Sequence, residues 1–200
     1  MRRQGILVIL DEVMTGFGRT GPLFASFEAG AAPDFLCLSK GLTGGALPMG
    51  LTITTDAVFQ AFLDEGMDKA FLHGHSFTAN PLGCAAALAS LDLLLDPACA
   101  QARACIERRH RTGLAPVVAE SPGAARLRIQ GTIAAFDAAA PEGVGPAEHG
   151  ARMRRFFLER GLLLRPLGNT IYLLPPYCTT DEQLDRAYAG VAEGLACGFA

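Results

Sequence analysis

Two short apolar runs in the first part of the chain each end in polar residues. Residues 6–13 (ILVILDEV) are apolar as far as Asp11, and residues 34–38 (DFLCL) lead within two positions to Lys40. Continuous apolar runs of this length are typical of strands buried in a parallel sheet, whose polar carboxyl ends emerge at a site. A third apolar stretch, 46–54, precedes an acidic helix start. The pattern predicts an α/β domain.

The remainder of the chain predicts more helices and then a second, smaller domain. Residues 81–95 (PLGCAAALASLDLLL) predict a largely buried helix with Asn80 as its N-cap, because proline favours the first turn and alanine and leucine recur at helical spacing. The later elements predicted are a polar helix at 97–119, strands within 124–136, a helix near 147–160, strands at 162–165 and 170–173, and a last helix from Asp181. We therefore expect a large-domain segment over 1–120 and an α+β domain over 121–200.

Composition narrows the function classes. The net charge of −3 and the scattered positions of the 17 lysines and arginines argue against a nucleic-acid partner. The acids at positions 11 and 12 end the first apolar run too early for a secretion signal, and no stretch approaches the ~20 apolar residues of a membrane span. We expect a cytoplasmic protein without a membrane partner. The six cysteines form no C-x-x-C pair, so we expect reduced thiols and no metal.

Lys40 and Asp11 are the residues that point to a chemistry. A lysine among glycines after a strand is, by itself, often a solvated turn residue. Asp11 closes the neighbouring apolar run, however, so two strand ends of one sheet would present an amine and a carboxylate to the same crevice. Pyridoxal 5′-phosphate (PLP) combines a lysine Schiff base with a carboxylate on its pyridine nitrogen. The carboxylate keeps that nitrogen protonated, which makes the ring an electron sink.

Three segments then carry a specific resemblance. LDEVMTGFGRTG (10–21), PDFLCLSKGLTGG (33–45) and HGHSFTANPLGCAAALASL (73–91) resemble class III aminotransferases in order and spacing. The interval from Asp11 to Lys40, 40 − 11 = 29 residues, is that of the family. The resemblance implies the PLP-transferase fold type I: the second half of its large, mainly parallel-sheet domain, followed by a C-terminal α+β small domain.

The resemblance also implies roles at the cofactor. Lys40 would carry PLP as a Schiff base and act as catalytic base and acid, and Asp11 would pair with the pyridine nitrogen. Val13 would pack under the ring from the same side of the strand, although a core role explains it equally well. His75 and Ser76 would give a main-chain amide and a hydroxyl to the cofactor phosphate of the neighbouring subunit in a homodimer. The alternative for His75 is an ordinary loop histidine.

The segment LLLRPLGNTIYLLPPY (162–177) resembles the branch of the family that acts in biotin synthesis. That likeness implies 8-amino-7-oxononanoate as amino acceptor and S-adenosylmethionine as amino donor. Arg165 would bind the acceptor's carboxylate, Tyr172 would lie beside it, and Gly74 would lend its backbone. Arg19 is either structural or reaches the substrate. Two alternatives stay open: another class III enzyme acting on a diamine or an ω-amino acid, and an inactive half-fold remnant.

The resemblance covers only about half of a normal member of the family. The Gly/Ser loop that supplies most phosphate-binding amides and the aromatic residue that stacks on the cofactor ring are not found, and the chain contains no tryptophan. A sheet cut in half exposes an unpaired edge and an apolar face. We therefore expect this chain alone to fold poorly, to aggregate readily and to bind PLP weakly.

Overall fold

A computed structural model describes residues 4–199 of the chain. The chain divides between Cys99 and Ala100 into two compact units. Residues 100–120, which the sequence analysis assigned to the first domain, pack in the second unit against its sheet and last helix. The domain boundary expected near residue 120 stays a prediction.

The first unit is built on a three-stranded sheet. Its elements are β1 (Ile9–Asp11), α1 (Ala25–Glu28), β2 (Phe35–Leu38), a 3₁₀ helix (Lys40–Thr43), β3 (Leu51–Thr54), α2 (Asp56–Gln60) and α3 (Pro81–Leu95). The strand order is β1-β2-β3, in which β1 and β2 are parallel and β3 is antiparallel to β2. The parallel pair matches the predicted α/β pattern, and the acidic helix start after the third apolar stretch is confirmed at Asp56.

Strand β1 is shorter than the apolar run that predicted it. The run covers residues 6–13, whereas only Ile9–Asp11 forms a strand. Among the described residues β1 has a partner on one side only, and Ile6 and Leu7 remain more than half exposed. A strand extends only where a neighbour accepts its hydrogen bonds, so the missing partner accounts for the shorter strand.

Helix α3 has the predicted bounds and cap but not the predicted burial. The Asn80 side chain accepts a hydrogen bond from Gly83 N–H at 2.7 Å, which confirms the N-cap. Only Gly83 and Leu94 are buried, while Leu82 and Leu93 are 74% and 73% exposed. The prediction of a largely buried helix is therefore wrong for this chain. Apolar residues surround the whole helix, and the described residues cover only one face of it.

The second unit contains the main hydrophobic core. Its elements are the greater part of α4 (Pro97–Arg109), a π-helical turn (His110–Leu114), α5 (Ala115–Glu120), β4 (Ala124–Gln130), β5 (Ile133–Ala138), α6 (Pro146–Glu159), β6 (Thr170–Leu173) and α7 (Asp181–Cys197). Strands β4, β5 and β6 form an antiparallel sheet in that order. Phe136, Phe157 and Val191 bring the sheet, α6 and α7 into one fully buried cluster. This confirms the α+β architecture predicted from residue 124 onward.

One sequence prediction is wrong in this unit, and another is confirmed in its bounds but not in its regularity. Residues 162–165 do not form a strand, because β6 takes the free side of β5 and leaves this segment without a ladder partner. The helix predicted over 97–119 is interrupted by the π-helical turn. Pro116 follows that turn and cannot donate an N–H, so the regular ladder cannot continue through it.

A buried polar pair fixes the π-helical turn. The His110 ring is fully buried, with one nitrogen 2.9 Å from the Tyr188 hydroxyl and the other 3.2 Å from the Thr132 carbonyl oxygen. Burial lowers the pKa of His110 and raises the pKa of Tyr188. Gly113 lets the π-helical turn approach α7, because a Cβ at this position would lie 2.7 Å from the Tyr188 ring.

Candidate active site

The carboxyl ends of β1 and β2 bring an acid and an amine to one edge of the first sheet. Asp11 is the last residue of β1, and its Cα pairs with that of Cys37 on the parallel strand β2. Lys40 follows three residues after Cys37 and begins the 3₁₀ helix. Both side chains are exposed. The structure thus places Asp11 and Lys40 at the same edge, where the sequence analysis expected them.

The backbone at Lys40 is held in an unusual conformation. Its φ of 44° lies in the left-handed region, which costs a residue with a side chain about 1–3 kcal/mol and persists only when the surroundings hold it. The Ser39 hydroxyl donates to the Met49 carbonyl at 2.7 Å, and the Thr43 hydroxyl donates to the Leu47 carbonyl at 2.5 Å. Among residues 4–199 the Lys40 ammonium forms no hydrogen bond or ion pair. The loop is fixed while its amine stays available.

Asp11 is oriented by the turn that follows it. Its Oδ1 accepts a hydrogen bond from the Val13 N–H at 2.9 Å. Since β1 ends at Asp11, Val13 lies in this turn and not on the strand, which corrects its expected placement. Val13 is half-buried there. Whether it packs under a cofactor ring stays a prediction.

Glu12 has a structural role that no sequence motif indicated. Its side chain is only 2% exposed and accepts hydrogen bonds from Ser26 N–H at 2.7 Å, Ala25 N–H at 3.0 Å and the Thr15 hydroxyl at 2.8 Å. Burial favours the neutral acid, but these hydrogen bonds outweigh it and hold the pKa of Glu12 below its usual value. The position of Glu12 directly after Asp11 was the available signal. Adjacent side chains of an extended chain point to opposite faces, so an exposed Asp11 implies that Glu12 points inward. Glu12 therefore anchors the turn behind Asp11.

The predicted phosphate loop is exposed and hydrogen-bonded within itself. The His75 N–H donates to the Thr78 hydroxyl at 3.1 Å, and His75 Nδ1 accepts from the Phe77 N–H at 3.1 Å. Gly74 and Ser76 are exposed in the same loop, and the Ser76 hydroxyl makes no hydrogen bond to any residue in the range 4–199. Ser76 is therefore better placed to donate to a phosphate than the His75 amide, which is already engaged.

Arg19 lies in the turn region between β1 and α1 and is half-buried. The Gly18 N–H donates to the Leu23 carbonyl at 3.1 Å and so helps to hold this region. The choice between a structural role and a substrate contact for Arg19 stays open.

In the second unit, Arg165 and Tyr172 line one groove. The groove has a volume of about 550 Å³, and its walls include Leu164, Leu173 and Pro175. Arg165 is exposed and Tyr172 is half-buried. A guanidinium in the lining of a groove with apolar walls suits a ligand that has an aliphatic chain and a terminal carboxylate. The sequence analysis named this pair, and the structure brings it together.

The residues at the sheet edge fit PLP in part. An available primary amine and an oriented carboxylate are the groups that this cofactor requires for its aldehyde and its ring nitrogen. The Ser76 hydroxyl could serve a phosphate. The stacking aromatic ring and the Gly/Ser phosphate loop of the family were not found in the sequence, so the fit is partial.

Across the described part of the chain, no single helix is both long and apolar enough to cross a membrane. The six cysteines are all free thiols.

Comparisons with known proteins agree on the family. The pattern of "Aminotransferase class-III" matches residues 1–194. The adenosylmethionine-8-amino-7-oxononanoate aminotransferase of Synechococcus elongatus is 52% identical over 192 residues, which are 96% of this chain and 44% of that protein. The chain therefore spans less than half the length of this relative.

Solved structures of the family share the fold. The adenosylmethionine-8-amino-7-oxononanoate aminotransferase of Methanocaldococcus jannaschii superimposes with a TM-score of 0.87 at 33% identity, over 98% of this chain and 47% of that one. A PLP-bound amine transaminase from an uncultivated Pseudomonas species superimposes with a TM-score of 0.87 at 32% sequence identity, over 98% of this chain and 46% of that one. The fold is that of PLP-dependent transaminases, and the chain belongs to the class III aminotransferases.

Proposed function

We propose that this chain is the Lys40-bearing part of an enzyme that transfers an amino group from S-adenosylmethionine to 8-amino-7-oxononanoate, with PLP as cofactor. The observation that carries the proposal is the parallel pairing of β1 with β2, which sets Asp11 and Lys40 at one edge of the sheet. The 52% identical relative, an adenosylmethionine-8-amino-7-oxononanoate aminotransferase, supports the choice of substrates.

The chain's own residues have distinct tasks in this proposal. Bound PLP withdraws electrons from the carbon that carries the donor's amino group and so makes its proton removable. Lys40 is the base that takes this proton and later returns one. Asp11 holds the ring nitrogen in its protonated form. The turn behind it, anchored by Glu12, keeps its carboxylate in place.

The groove of the second unit selects the acceptor. Arg165 binds the terminal carboxylate of 8-amino-7-oxononanoate, and the apolar walls accommodate its aliphatic chain. Tyr172, which lines the same groove, lies beside the aliphatic chain of the substrate and limits where the keto end of the substrate extends. The backbone contact of Gly74 with the substrate stays a prediction from the resemblance.

We further propose that the working enzyme is a homodimer in which Ser76 reaches the phosphate bound by the neighbouring subunit. The loop that carries Ser76 is exposed, and the nearby apolar residues Phe71, Leu72 and Phe77 are 69%, 79% and 75% exposed. Exposed apolar surface on this scale is typical of protein–protein interfaces, because its exposure to water is unfavourable.

The test uses a completed enzyme, in which this chain is joined to the part of the Synechococcus elongatus relative that the match leaves out. Amino donors are screened with 8-amino-7-oxononanoate as acceptor. We expect 7,8-diaminononanoate to form with S-adenosylmethionine, in wild type and in the control Lys69→Ala, but not in Lys40→Ala.

Two results would contradict the proposal. Turnover of ornithine or γ-aminobutyrate without turnover of S-adenosylmethionine would favour another class III enzyme, an alternative supported by the likeness to an amine transaminase. A completed enzyme that binds no PLP would favour an inactive remnant.

A further inference from the structure

Phe17 packs beside the loop that carries Lys40. It belongs to the turn that follows Asp11, and its side chain is 8% exposed. Its backbone φ is 60°, a left-handed conformation that residues with side chains rarely adopt. Phe24 packs edge-on against its ring with centroids 5.5 Å apart. The fold thus holds Phe17 in a strained conformation with a defined ring position.

The Phe17 side chain packs directly on the residue after Lys40. A Cβ added to Gly41 would lie 2.8 Å from Phe17 Cβ and 2.9 Å from Phe17 Cδ2. Atoms this close would have to move, so position 41 accepts only glycine while Phe17 stays in place. The contact joins the turn behind Asp11 to the loop that carries Lys40.

The other side of the lysine loop is held by α3. The Ser90 hydroxyl donates a hydrogen bond to the Gly41 carbonyl at 3.1 Å. Gly41 is therefore fixed between Phe17 and Ser90. Because Lys40 immediately precedes Gly41, these contacts add to the hydrogen bonds of Ser39 and Thr43 in holding the left-handed backbone of Lys40.

We propose that Phe17 is a positioning residue that holds the Lys40 loop against the turn following Asp11, so that one aromatic contact sets the spacing between the amine and the carboxylate. The inference rests on the proposed function, because the spacing matters only if both groups serve one cofactor. Glu12 supports Phe17 indirectly, since it anchors the turn from which the ring projects.

The test measures covalent capture of PLP at Lys40 in the completed enzyme. Limited PLP is added, borohydride fixes it on lysine, and peptide mass spectrometry gives the ratio of label on Lys40 to label on Lys69. We expect Phe17→Ala to lower this ratio about fivefold or more, because release of the left-handed backbone depopulates the productive loop. Phe17→Leu should recover part of the loss. Phe59→Ala, a change at a 53% exposed ring of the same unit, should leave the ratio unchanged.

Two further readouts separate positioning from general destabilisation. The pH midpoint of the visible absorption of the bound cofactor should move in Phe17→Ala and stay in Phe59→Ala. Gly41→Ala disturbs the same contact from the other side and should also lower the labelling ratio, so the inference remains testable if Phe17→Ala does not fold.

An unchanged ratio and pH midpoint in folded Phe17→Ala, or an unchanged ratio in Gly41→Ala, would overturn the role of Phe17 and leave the proposed function intact. Absence of preferential Lys40 labelling in the wild type would instead overturn the proposed function, and this inference with it.

Discussion

Glu12→Ala is the substitution whose effect the structure defines best. Glu12 is buried next to the exposed Asp11, and its carboxylate accepts hydrogen bonds from two backbone N–H groups and a side-chain hydroxyl. Alanine removes the acceptor and leaves those donors behind. The change should loosen the region between β1 and α1 without touching Asp11 or Lys40 directly.

The magnitude follows from the three hydrogen bonds. A hydrogen bond to a charged group contributes about 1.5–3 kcal/mol, and a buried donor left without a partner costs about 1–3 kcal/mol. The Thr15 hydroxyl can rotate and water can reach the half-buried Ala25, so the Ser26 N–H carries most of the loss. Relief of the cost of burying the carboxylate offsets a part of it. We expect a net loss of about 2–4 kcal/mol in the free energy of local unfolding.

Hydrogen exchange on the completed enzyme measures this loss where it occurs. A loss of 2 kcal/mol speeds exchange at the Ala25 and Ser26 amides about thirtyfold. Glu65→Ala is the matched control, because Glu65 is exposed in the same unit. Wild-type exchange rates at both amides in Glu12→Ala would refute the reasoning, since the buried carboxylate would then not anchor the turn.

Three other predictions concern pH and substrate. Because the folded pKa of Glu12 lies below its usual value near 4.5, its stabilisation is complete above that pH and is lost as the pH falls through the folded value; Glu12→Gln should remove this acid-side loss in thermal melts. Burial lowers the pKa values of His110 and His149 in the folded chain, so the unfolded chain binds protons at a higher pH than the folded one. The free energy of unfolding should therefore decrease as the pH falls below about 6.5, by up to ~1.4 kcal/mol per pH unit for each ring. A His110→Gln variant whose slope below pH 6.5 equals that of the wild type would contradict this account for His110. Arg165→Ala in the completed enzyme should raise the KM for 8-amino-7-oxononanoate about tenfold to hundredfold, the loss of one charge-assisted contact, while Arg154→Ala should not; equal KM values would contradict the carboxylate role.

Local signals predicted much of the fold. The proline at position 81 and the Asn80 cap located α3, and the capping box of Thr180 and Gln183 marks the start of α7. The two apolar runs with polar ends located β1, β2 and the edge that carries Asp11 and Lys40. These features depend on residues that are close together in the chain, so they can be predicted from a single sequence.

The wrong predictions concern features of the fold that depend on contacts between residues far apart in the sequence. Residues 162–165 were predicted as a strand because three consecutive leucines precede Arg165, but the neighbouring place in the sheet belongs to β6. The exposure of α3 depends on what covers its outer faces. Sequence patterns could not show that Phe17 packs on Gly41, since this contact joins segments 24 residues apart (41 − 17 = 24) through the way two turns fold.

The most direct test of the account asks which lysine the cofactor selects. The chain has two lysines, Lys40 and Lys69, and Lys69 is an exposed residue paired with Asp64 at 3.3 Å. After limited PLP and borohydride, the completed enzyme should carry the label on Lys40 in large excess over Lys69, and Asp11→Asn should weaken that preference. Equal labelling of both lysines, or a preference for Lys69, would contradict the assignment of Lys40 as the cofactor-bearing residue.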